Sequence, residues 1–214
     1  MQGIGHLRDK KVPFQINLTL TKHNAHQLQN VYDLAESLGA AAVHIFMLVP
    51  VGCGESLIET DMLSPQQYEE KMLEIYHLEK RGGLQIKVTC GPHYERIVKQ
   101  QEAASNADTG HQVSHRKSRG CLAGLGVLFV SHQGDVFPCG YLPVICGNIL
   151  REKLAGIWNN NKDLARMRDS NQLEGKCGIC GYRNICGGCR GRAYAASGNY
   201  MAQEPFCAYI PPPK

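Results

Sequence analysis

Residues 177–189 read CGICGYRNICGGC and hold four of the ten cysteines of this 214-residue chain. Two C-x2-C pairs, Cys177 with Cys180 and Cys186 with Cys189, stand five residues apart. A two-residue loop turns both sulfurs of a pair the same way, so each pair can bind one metal ion or cluster. Zinc ribbons usually separate their pairs by more residues, whereas iron–sulfur clusters often use close spacing. The stretch therefore favours clusters over zinc, which remains the rival.

The remaining cysteines crowd into the same half of the chain. Eight of the ten lie at or after residue 121. The first residues carry no secretory signal, so we expect a cytoplasmic protein whose thiols stay reduced. Reduced and clustered cysteines are typical of metal binding rather than of disulfides. Cys53 and Cys90 lie apart from the others in the sequence, and we assign them structural roles.

A predicted β-hairpin precedes the cysteine stretch. Residues 126–130 (GVLFV) and 135–137 (DVF) have strand character, and the SHQG segment between them ends in a glycine suited to a turn. Cys121 precedes the first strand and Cys139 follows the second. An antiparallel hairpin would bring these two thiols to the same end, which suits a shared metal site.

The first half of the chain has the pattern of a parallel α/β fold. Strands are predicted at 12–21 (VPFQINLTLT), 42–49 (AVHIFMLV) and 84–89 (LQIKVT). The middle strand is apolar on both faces, as in a sheet covered above and below. Two or three such strands cannot close a barrel. We therefore expect the missing strands to come from a longer protein or from a partner chain.

Two helices connect these strands. Residues 25–38 have apolar side chains at helical spacing and follow Asn24, a favourable N-cap residue. Residues 64–67 (SPQQ) form a capping box with proline at the first helical position, which predicts a helix to about Arg81. The unit is β-α-β-α-β with right-handed connections.

The predicted domain organisation places a boundary after the α/β unit. Residues 99–119 have almost no large apolar side chain, which indicates a linker or mobile loop. The domains are thus residues 1–98, a linker at 99–119, and a cysteine-rich domain at 120–214. Lysines and arginines exceed acidic residues by four without forming a basic block, so no nucleic-acid partner is indicated. No apolar run is long enough for a membrane span.

The cysteine pattern resembles the SPASM extension of radical S-adenosylmethionine (SAM) enzymes. That pattern is C-x9-15-G-x4-C, then C-x2-C-x5-C-x3-C, then a final cysteine. Here Cys121, Gly134 and Cys139 fit the first part, and Cys207 provides the last position. One departure is that two residues, rather than three, precede Cys189. The resemblance implies the last strands of a partial radical SAM barrel followed by a small SPASM domain with a β-hairpin and short helices.

The resemblance also implies the metal ligands. One auxiliary [4Fe–4S] cluster would use Cys177, Cys180, Cys186 and Cys207, and a second would use Cys121, Cys139 and Cys189. The fourth position of the second cluster would be Cys146 or an open site. Cys146 lies outside the general pattern, so an inert buried thiol is an equal alternative.

Further sequence segments resemble those of the branch that acts on tetrapyrroles in haem biosynthesis. The segments are GCLAGLGVLFVSHQGDVFPCGYLP, EPFC and, in residues 12–97, PFQINLTLTKHN and FMLVPVG. The resemblance implies oxidation or decarboxylation of propionate side chains, with an auxiliary cluster accepting the electron. The C-x3-C-x2-C motif that cleaves SAM is absent from this sequence. The expected partners are the missing N-terminal half, in the same gene or a separate chain, a tetrapyrrole substrate and an electron donor.

Several other residues are candidates for binding roles. His93 and Tyr94 follow the last strand, and the sequence around them resembles the tetrapyrrole branch. They are therefore candidates for substrate binding. Arg190 and Arg192 could pair with propionates or neutralise cluster charge. The family resemblance assigns SAM contacts, in the complete enzyme only, to Gln15, Asn17 and Pro50.

Two alternatives stay open at this point. Many SPASM enzymes modify peptides, which gives a different substrate class within the family. A zinc-stabilised interaction module without catalytic activity is the alternative from outside it.

Overall fold

The computed structural model describes residues 2–109 and 119–212, without the side chains of residues 53, 55, 59 and 106–109. Within those residues the structure has two small sheets and a series of helices. The strands are β1 (Gln15–Leu20), β2 (Ala42–Met47), β3 (Gln85–Thr89), β4 (Phe129–Val130), β5 (Asp135–Phe137) and β6 (Gly147–Asn148). The α-helices are α1 (Gln2–Asp9), α2 (Leu28–Ser37), α3 (Ile58–Asp61), α4 (Pro65–Arg81), α5 (His93–Thr109), α6 (Leu154–Asn160), α7 (Lys162–Arg168), α8 (Gly175–Ile179) and α9 (Arg190–Ser197).

The first sheet is parallel with the order β1-β2-β3, which confirms the β-α-β-α-β prediction. Side chains alternate between its two faces. Leu18, Ile45 and Val88 are in register on the face that packs against the helices. Asn17 and His44 are paired on the other face. This second face is the polar one, so the sheet has one core side and one side suited to a site.

The core of the first half lies between the sheet and helices α2 and α4. Its side chains Leu28, Tyr32, Ile45, Met72 and Ile75 are at most 1% exposed. The Tyr32 hydroxyl donates to the Gly82 carbonyl (2.7 Å) and accepts from the Leu84 N–H (3.1 Å). The apolar contacts stabilise the half-sheet, and the tyrosine fixes the turn into β3.

The two predicted helix starts have different outcomes. The capping box is confirmed, because the Ser64 hydroxyl accepts from the Gln67 N–H (3.2 Å) and the Gln67 side chain accepts from the Ser64 N–H (2.9 Å). Asn24 stands at the predicted N-cap position, before the 3-10 turn Ala25–Gln27 that leads into α2, but its side chain makes no capping hydrogen bond. Its side chain accepts from the Thr21 N–H (2.9 Å) and donates to the Thr19 carbonyl (2.9 Å), so it closes the turn after β1 instead.

The predicted linker is wrong over residues 99–109, which continue helix α5. This part of the chain has three alanines and two glutamines, which favour helix without supplying a large apolar face. Residues 110–118 lie outside the described residues. The proposed domain boundary at the end of this segment therefore stays a prediction.

The second half is built around the predicted hairpin. Strands β4 and β5 are antiparallel, with Gly134 at the turn (φ +83°), and β6 adds a third strand that the sequence analysis missed. Val136, Ile157 and Leu164 form a small buried core behind them. The long cysteine segment thus folds on a support with limited apolar burial.

Candidate metal centres and adjoining cleft

Four cysteines line one small cavity in the second half. They are Cys177, Cys180, Cys186 and Cys207, the set that the family resemblance assigned to one cluster. Helix α8 carries the first of them, and the loops that follow carry the others. The structure therefore brings together residues that are 30 positions apart in the sequence.

Backbone N–H groups point at these sulfurs. The Glu204 N–H donates to Cys177 (3.3 Å), the Tyr182 N–H to Cys180 (3.4 Å) and the Gly188 N–H to Cys186 (3.5 Å). Such N–H···S bonds stabilise thiolates that ligate iron and tune the cluster's potential. Gly188 lies in the left-handed region (φ +61°), and a Cβ there would come within 2.5 Å of the Arg190 Nη2 atom. A glycine is thus required where the chain passes the cavity.

Positively charged side chains line this cavity. Arg96 lines it, is 1% exposed, forms an ion pair with Glu69 and stacks over the Tyr209 ring at 4.9 Å. Lys176 and Arg183 also line the cavity. These cations oppose the negative charge that four thiolates would bring.

His93 also lines this cavity and is 1% exposed. Neither of its ring nitrogens has a hydrogen-bond partner among the described residues. Burial, helped by the charges of Arg192 and Arg96 and opposed by Glu204, lowers the pKa of His93 to about 3. The ring is therefore neutral at physiological pH and has an N–H free to donate into the cavity. The structure places His93 beside the cysteines rather than in the wider cleft described next.

A second and larger space, about 450 Å³, lies between β3 and the cysteine-rich half. Four cysteines line this cleft, namely Cys90, Cys121, Cys139 and Cys189. The last three are the set that the resemblance assigned to a second cluster, whereas Cys90 was assigned a structural role. Burial raises the pKa of Cys139 to about 12, and contact with Cys90 and Arg192 lowers the pKa of Cys189 to about 6.

Close packing ties the two cysteine sites together. The Cys121 N–H donates to the Cys186 carbonyl (3.2 Å), and the Gly120 N–H donates to the Ile185 carbonyl (2.7 Å). A Cβ on Gly120 would lie 2.6 Å from the Pro92 Cβ and 2.8 Å from the Cys186 oxygen. The start of the cysteine-rich half therefore runs in direct contact with the loop after β3.

The cleft also has polar and apolar walls. Lys87 on β3 and Arg119 line it, together with Tyr141 and the apolar side chains of Leu122 and Val127. The Arg119 Nε atom is buried without a hydrogen-bond partner among the described residues. The sequence analysis missed Arg119 because it falls in the predicted linker. Its position two residues before Cys121 is the one feature of the sequence that could have indicated a role in the site.

The remaining cysteine candidate lies elsewhere. Cys146 is buried against Val136, Ile157 and Leu164, and its thiol points to the Val144 carbonyl (3.6 Å). The described residues that line the two cysteine cavities do not include Cys146. This packing favours the inert alternative. The side chain of Cys53 lies outside the described part of the chain.

The two predicted arginine candidates are engaged inside the protein. Arg192 is fully buried and forms an ion pair with Glu204, with Nε to Oε1 at 3.0 Å. Arg190 is 4% exposed and donates to the carbonyls of Tyr200 (2.9 Å) and Ala202 (2.8 Å). The structure thus places both on α9 behind the cysteines, with most of their donors in use.

The other predicted binding residues lie around β1 to β3. Tyr94 lines the cleft, although its hydroxyl donates to Glu79. Gln15 and Asn17 lie side by side on the exposed face of β1, joined by a 2.8 Å hydrogen bond. Pro50 is buried just after β2.

The polar face of the sheet contains one residue that sequence reasoning missed. His44 lies opposite Asn17 in register, bonds to the Thr89 hydroxyl (2.6 Å) and stacks on Phe46 (4.0 Å). The apolar run around it hid its position on this face. Among the described residues, no three His, Cys, Asp or Glu side chains converge on a position for a single metal ion. No described helix is long and apolar enough to cross a membrane.

Comparison with known proteins defines the class. Residues 121–189 match the SPASM family, an iron–sulfur cluster-binding domain. The fold resembles that of SuiB from Streptococcus suis, solved with bound S-adenosylmethionine, with a TM-score of 0.64 and 15% identity. That match covers 97% of this chain and 48% of SuiB. Residues 121–189 therefore match an iron–sulfur cluster-binding domain, and the chain as a whole shares the fold of this S-adenosylmethionine-bound neighbour.

Sequence relatives define the branch. The chain is 44% identical to the AdoMet-dependent heme synthase of Methanosarcina barkeri, over 99% of this chain and 60% of the relative. It is 42% identical to the protein of the same name from Nitratidesulfovibrio vulgaris, over 99% of this chain and 58% of the relative. The chain is thus similar to these relatives over nearly its whole length and spans about three fifths of theirs.

Proposed function

We propose that this chain provides the auxiliary clusters and part of the substrate cleft for oxidative decarboxylation of tetrapyrrole propionates in haem biosynthesis. The observation that carries the proposal is the cleft of about 450 Å³, which is lined by four cysteines and by the basic side chains of Lys87 and Arg119. The sequence relatives in the same branch are named heme synthases, which supports the substrate class.

The cysteine cavities fit iron–sulfur clusters in their donor chemistry. We assign one cluster to Cys177, Cys180, Cys186 and Cys207, because all four thiols line one cavity with backbone N–H donors to three of them. We assign the second to the cleft, with Cys121, Cys139 and Cys189 as ligands. When bound, such clusters accept and pass on single electrons.

The cleft suits a flat macrocycle with carboxylate side chains. Leu122 and Val127 are about two fifths exposed and offer an apolar wall. Lys87 and Arg119 offer cationic groups, and the unpartnered Arg119 Nε can complete its hydrogen bonds with a carboxylate. The apolar wall would hold the ring while the cations hold propionates.

The chemistry assigns a limited role to this chain. Each propionate that becomes a vinyl group loses one hydrogen atom, carbon dioxide and one electron. Hydrogen abstraction takes place at the SAM site of the complete protein. We assign Gln15, Asn17 and Pro50 to that site. The residues of this chain bind the propionates, exclude water and hold the acceptor of the electron beside the substrate.

Substrate binding can be tested with the cluster-reconstituted chain. Iron-coproporphyrin added under anaerobic conditions should bind and shift its visible absorbance. Arg119→Gln and Lys87→Gln should each weaken binding by about tenfold, because each removes one charge-assisted hydrogen bond. Lys153→Gln, at an exposed residue that does not line the cleft, is the matched control. The proposal fails if the porphyrin does not bind or if all three variants bind it equally.

A further inference from the structure

Cys90 occupies an unusual position at the carboxyl end of β3. Its φ of +58° lies in the left-handed region, which residues other than glycine and asparagine seldom adopt. The next residue, Gly91, presses into the core, where a Cβ would lie 2.6 Å from Val88 Cγ1 and 3.0 Å from Met47 Cγ. The backbone thus turns sharply, and the Cys90 side chain comes to the wall of the cleft.

The Cys90 thiol lies next to a predicted cluster ligand. It lines the same cleft as the thiols of Cys189 and Cys139. Cys139 in turn lies close to Cys121. Four thiols therefore surround one space, three from the cysteine-rich half and one from the sheet.

The other cysteine considered for this position is held away from it. The Cys146 N–H donates to the Val136 carbonyl (2.7 Å), which fixes it on the hairpin. Its thiol faces the Val144 carbonyl inside the small core. Moving that thiol to the cleft would require the hairpin to rearrange.

We propose that Cys90 is the fourth thiolate of the second cluster and completes the set of Cys121, Cys139 and Cys189. This inference rests on the cluster assignment made above. Ligation replaces the S–H bond with an S–Fe bond, the proton passes to solvent, and no oxidation state changes. Every iron of a four-iron cluster then has a protein ligand. The substrate in the cleft therefore lies beside the cluster without coordinating to it, and the cluster joins the sheet to the cysteine-rich half.

Cysteine variants of the anaerobically reconstituted full chain test this assignment. Cys90→Ala should lose as much iron and sulfide as Cys121→Ala, while Cys146→Ala keeps the wild-type content. Cys90→Ser keeps the size of the side chain and offers oxygen as a ligand. It should change the Mössbauer spectrum of one cluster while the far-ultraviolet circular dichroism stays the same. A residue with only a packing role would leave that spectrum unchanged.

An open coordination site on a cluster iron can be detected by an independent measurement. Cyanide added to the reduced wild-type chain should leave its electron paramagnetic resonance spectrum unchanged, since each iron is already ligated. Altered wild-type spectra, or wild-type iron content and spectra in both Cys90 variants, would overturn the proposal. If Cys121→Ala also kept full iron and sulfide, the second cluster itself would be absent, and the proposed function would lose that part too.

Discussion

Arg192 and Glu204 form an ion pair in which both side chains are at most 1% exposed. Glu204 also accepts from the Cys189 N–H (2.6 Å), and Arg192 reaches the Leu48 carbonyl just after β2 (3.4 Å). Arg192 holds the pKa of Glu204 at about 2 against the opposing effect of burial. This pair therefore connects the sheet, a predicted cluster ligand and the C-terminal segment through charged groups that have no access to water.

Removing one member of this pair should destabilise the protein strongly. Arg192→Met leaves the Glu204 carboxylate buried without its partner, and we expect a loss of about 3 kcal/mol in the free energy of unfolding. Urea denaturation of the anaerobically reconstituted chain, followed by circular dichroism, measures the loss. Arg166→Met breaks the exposed ion pair with Glu174 and should cost less than about 1 kcal/mol.

A double variant distinguishes the ion pair from simple packing. In Arg192→Met with Glu204→Gln, the amide oxygen still accepts from the Cys189 N–H and no charge is left unpaired. We expect this variant to be more stable than Arg192→Met alone. An additive loss from the two changes would show that their charges are not coupled.

Glycines at two positions should respond to alanine in opposite directions. Gly91→Ala forces a methyl group against Val88 and Met47, and we expect a loss of about 1–3 kcal/mol from overpacking. Gly156 lies within α6 with no atom within 4 Å of its added Cβ, so Gly156→Ala should stabilise by about 0.5–1 kcal/mol through helix propensity. Thermal denaturation of the two variants beside the wild-type chain measures both effects. A similar destabilisation by both would contradict the packing described at Gly91.

Local patterns in the sequence predicted the elements that depend on near neighbours. The Ser64 capping box and the hairpin with Gly134 are formed by residues a few positions apart, so spacing alone was sufficient. The wrong predictions have distant causes or weak signals. The Asn24 side chain bonds to the backbone of Thr19 in β1 and of Thr21 just after it rather than to the following helix. The extension of α5 depends on small and polar helix formers, which a search for apolar periodicity passes over.

The candidate site follows the same division. Spacing alone finds Cys177 and Cys180 of the first cavity, which stay together as a C-x2-C pair. The family resemblance was needed for Cys186 and Cys207, because Cys189, the pair partner of Cys186, lines the cleft instead. Cys90 and Arg119 join the cleft only through tertiary contacts, at the loop after β3 and beside Cys121. Neither position carries a motif. A structure was needed to show that the sheet contributes a thiol to the same space as Cys189.

His93 should tune the cluster in the first cavity through its free N–H. A hydrogen bond donated to a cluster sulfur stabilises the reduced state, so His93→Phe should lower the midpoint potential, by about 40 mV for a bond worth about 1 kcal/mol. The pKa of His93 is lowered to about 3, so its ring carries no charge between pH 6 and pH 8. The potential should therefore depend on pH equally in the variant and the wild-type chain.

Redox titrations monitored by electron paramagnetic resonance at both pH values measure this effect. His77→Phe, on the exposed side of α4, is the control and should leave the potential unchanged. A pH slope that disappears in His93→Phe would show that the ring titrates in this range, against the expectation from its burial. An unchanged potential would show that the ring does not donate to the cluster.

Loss of the first cluster should unfold the C-terminal segment selectively. After residue 168, Leu173 and Met201 are the large aliphatic side chains that the described part of the chain buries, so ligand bonds must supply much of the folding free energy. Cys180→Ala removes one ligand of the Cys177–Cys180 pair. The loop between these two residues holds no further cysteine that could replace it. We expect this variant to lose iron and to be cut by trypsin at several sites after Arg168, while the sheet half stays intact. Iron analysis and mass spectrometry of the fragments measure the outcome against Cys146→Ala. Full iron content in Cys180→Ala, or equal cleavage throughout both halves, would contradict this assignment of ligands and stability.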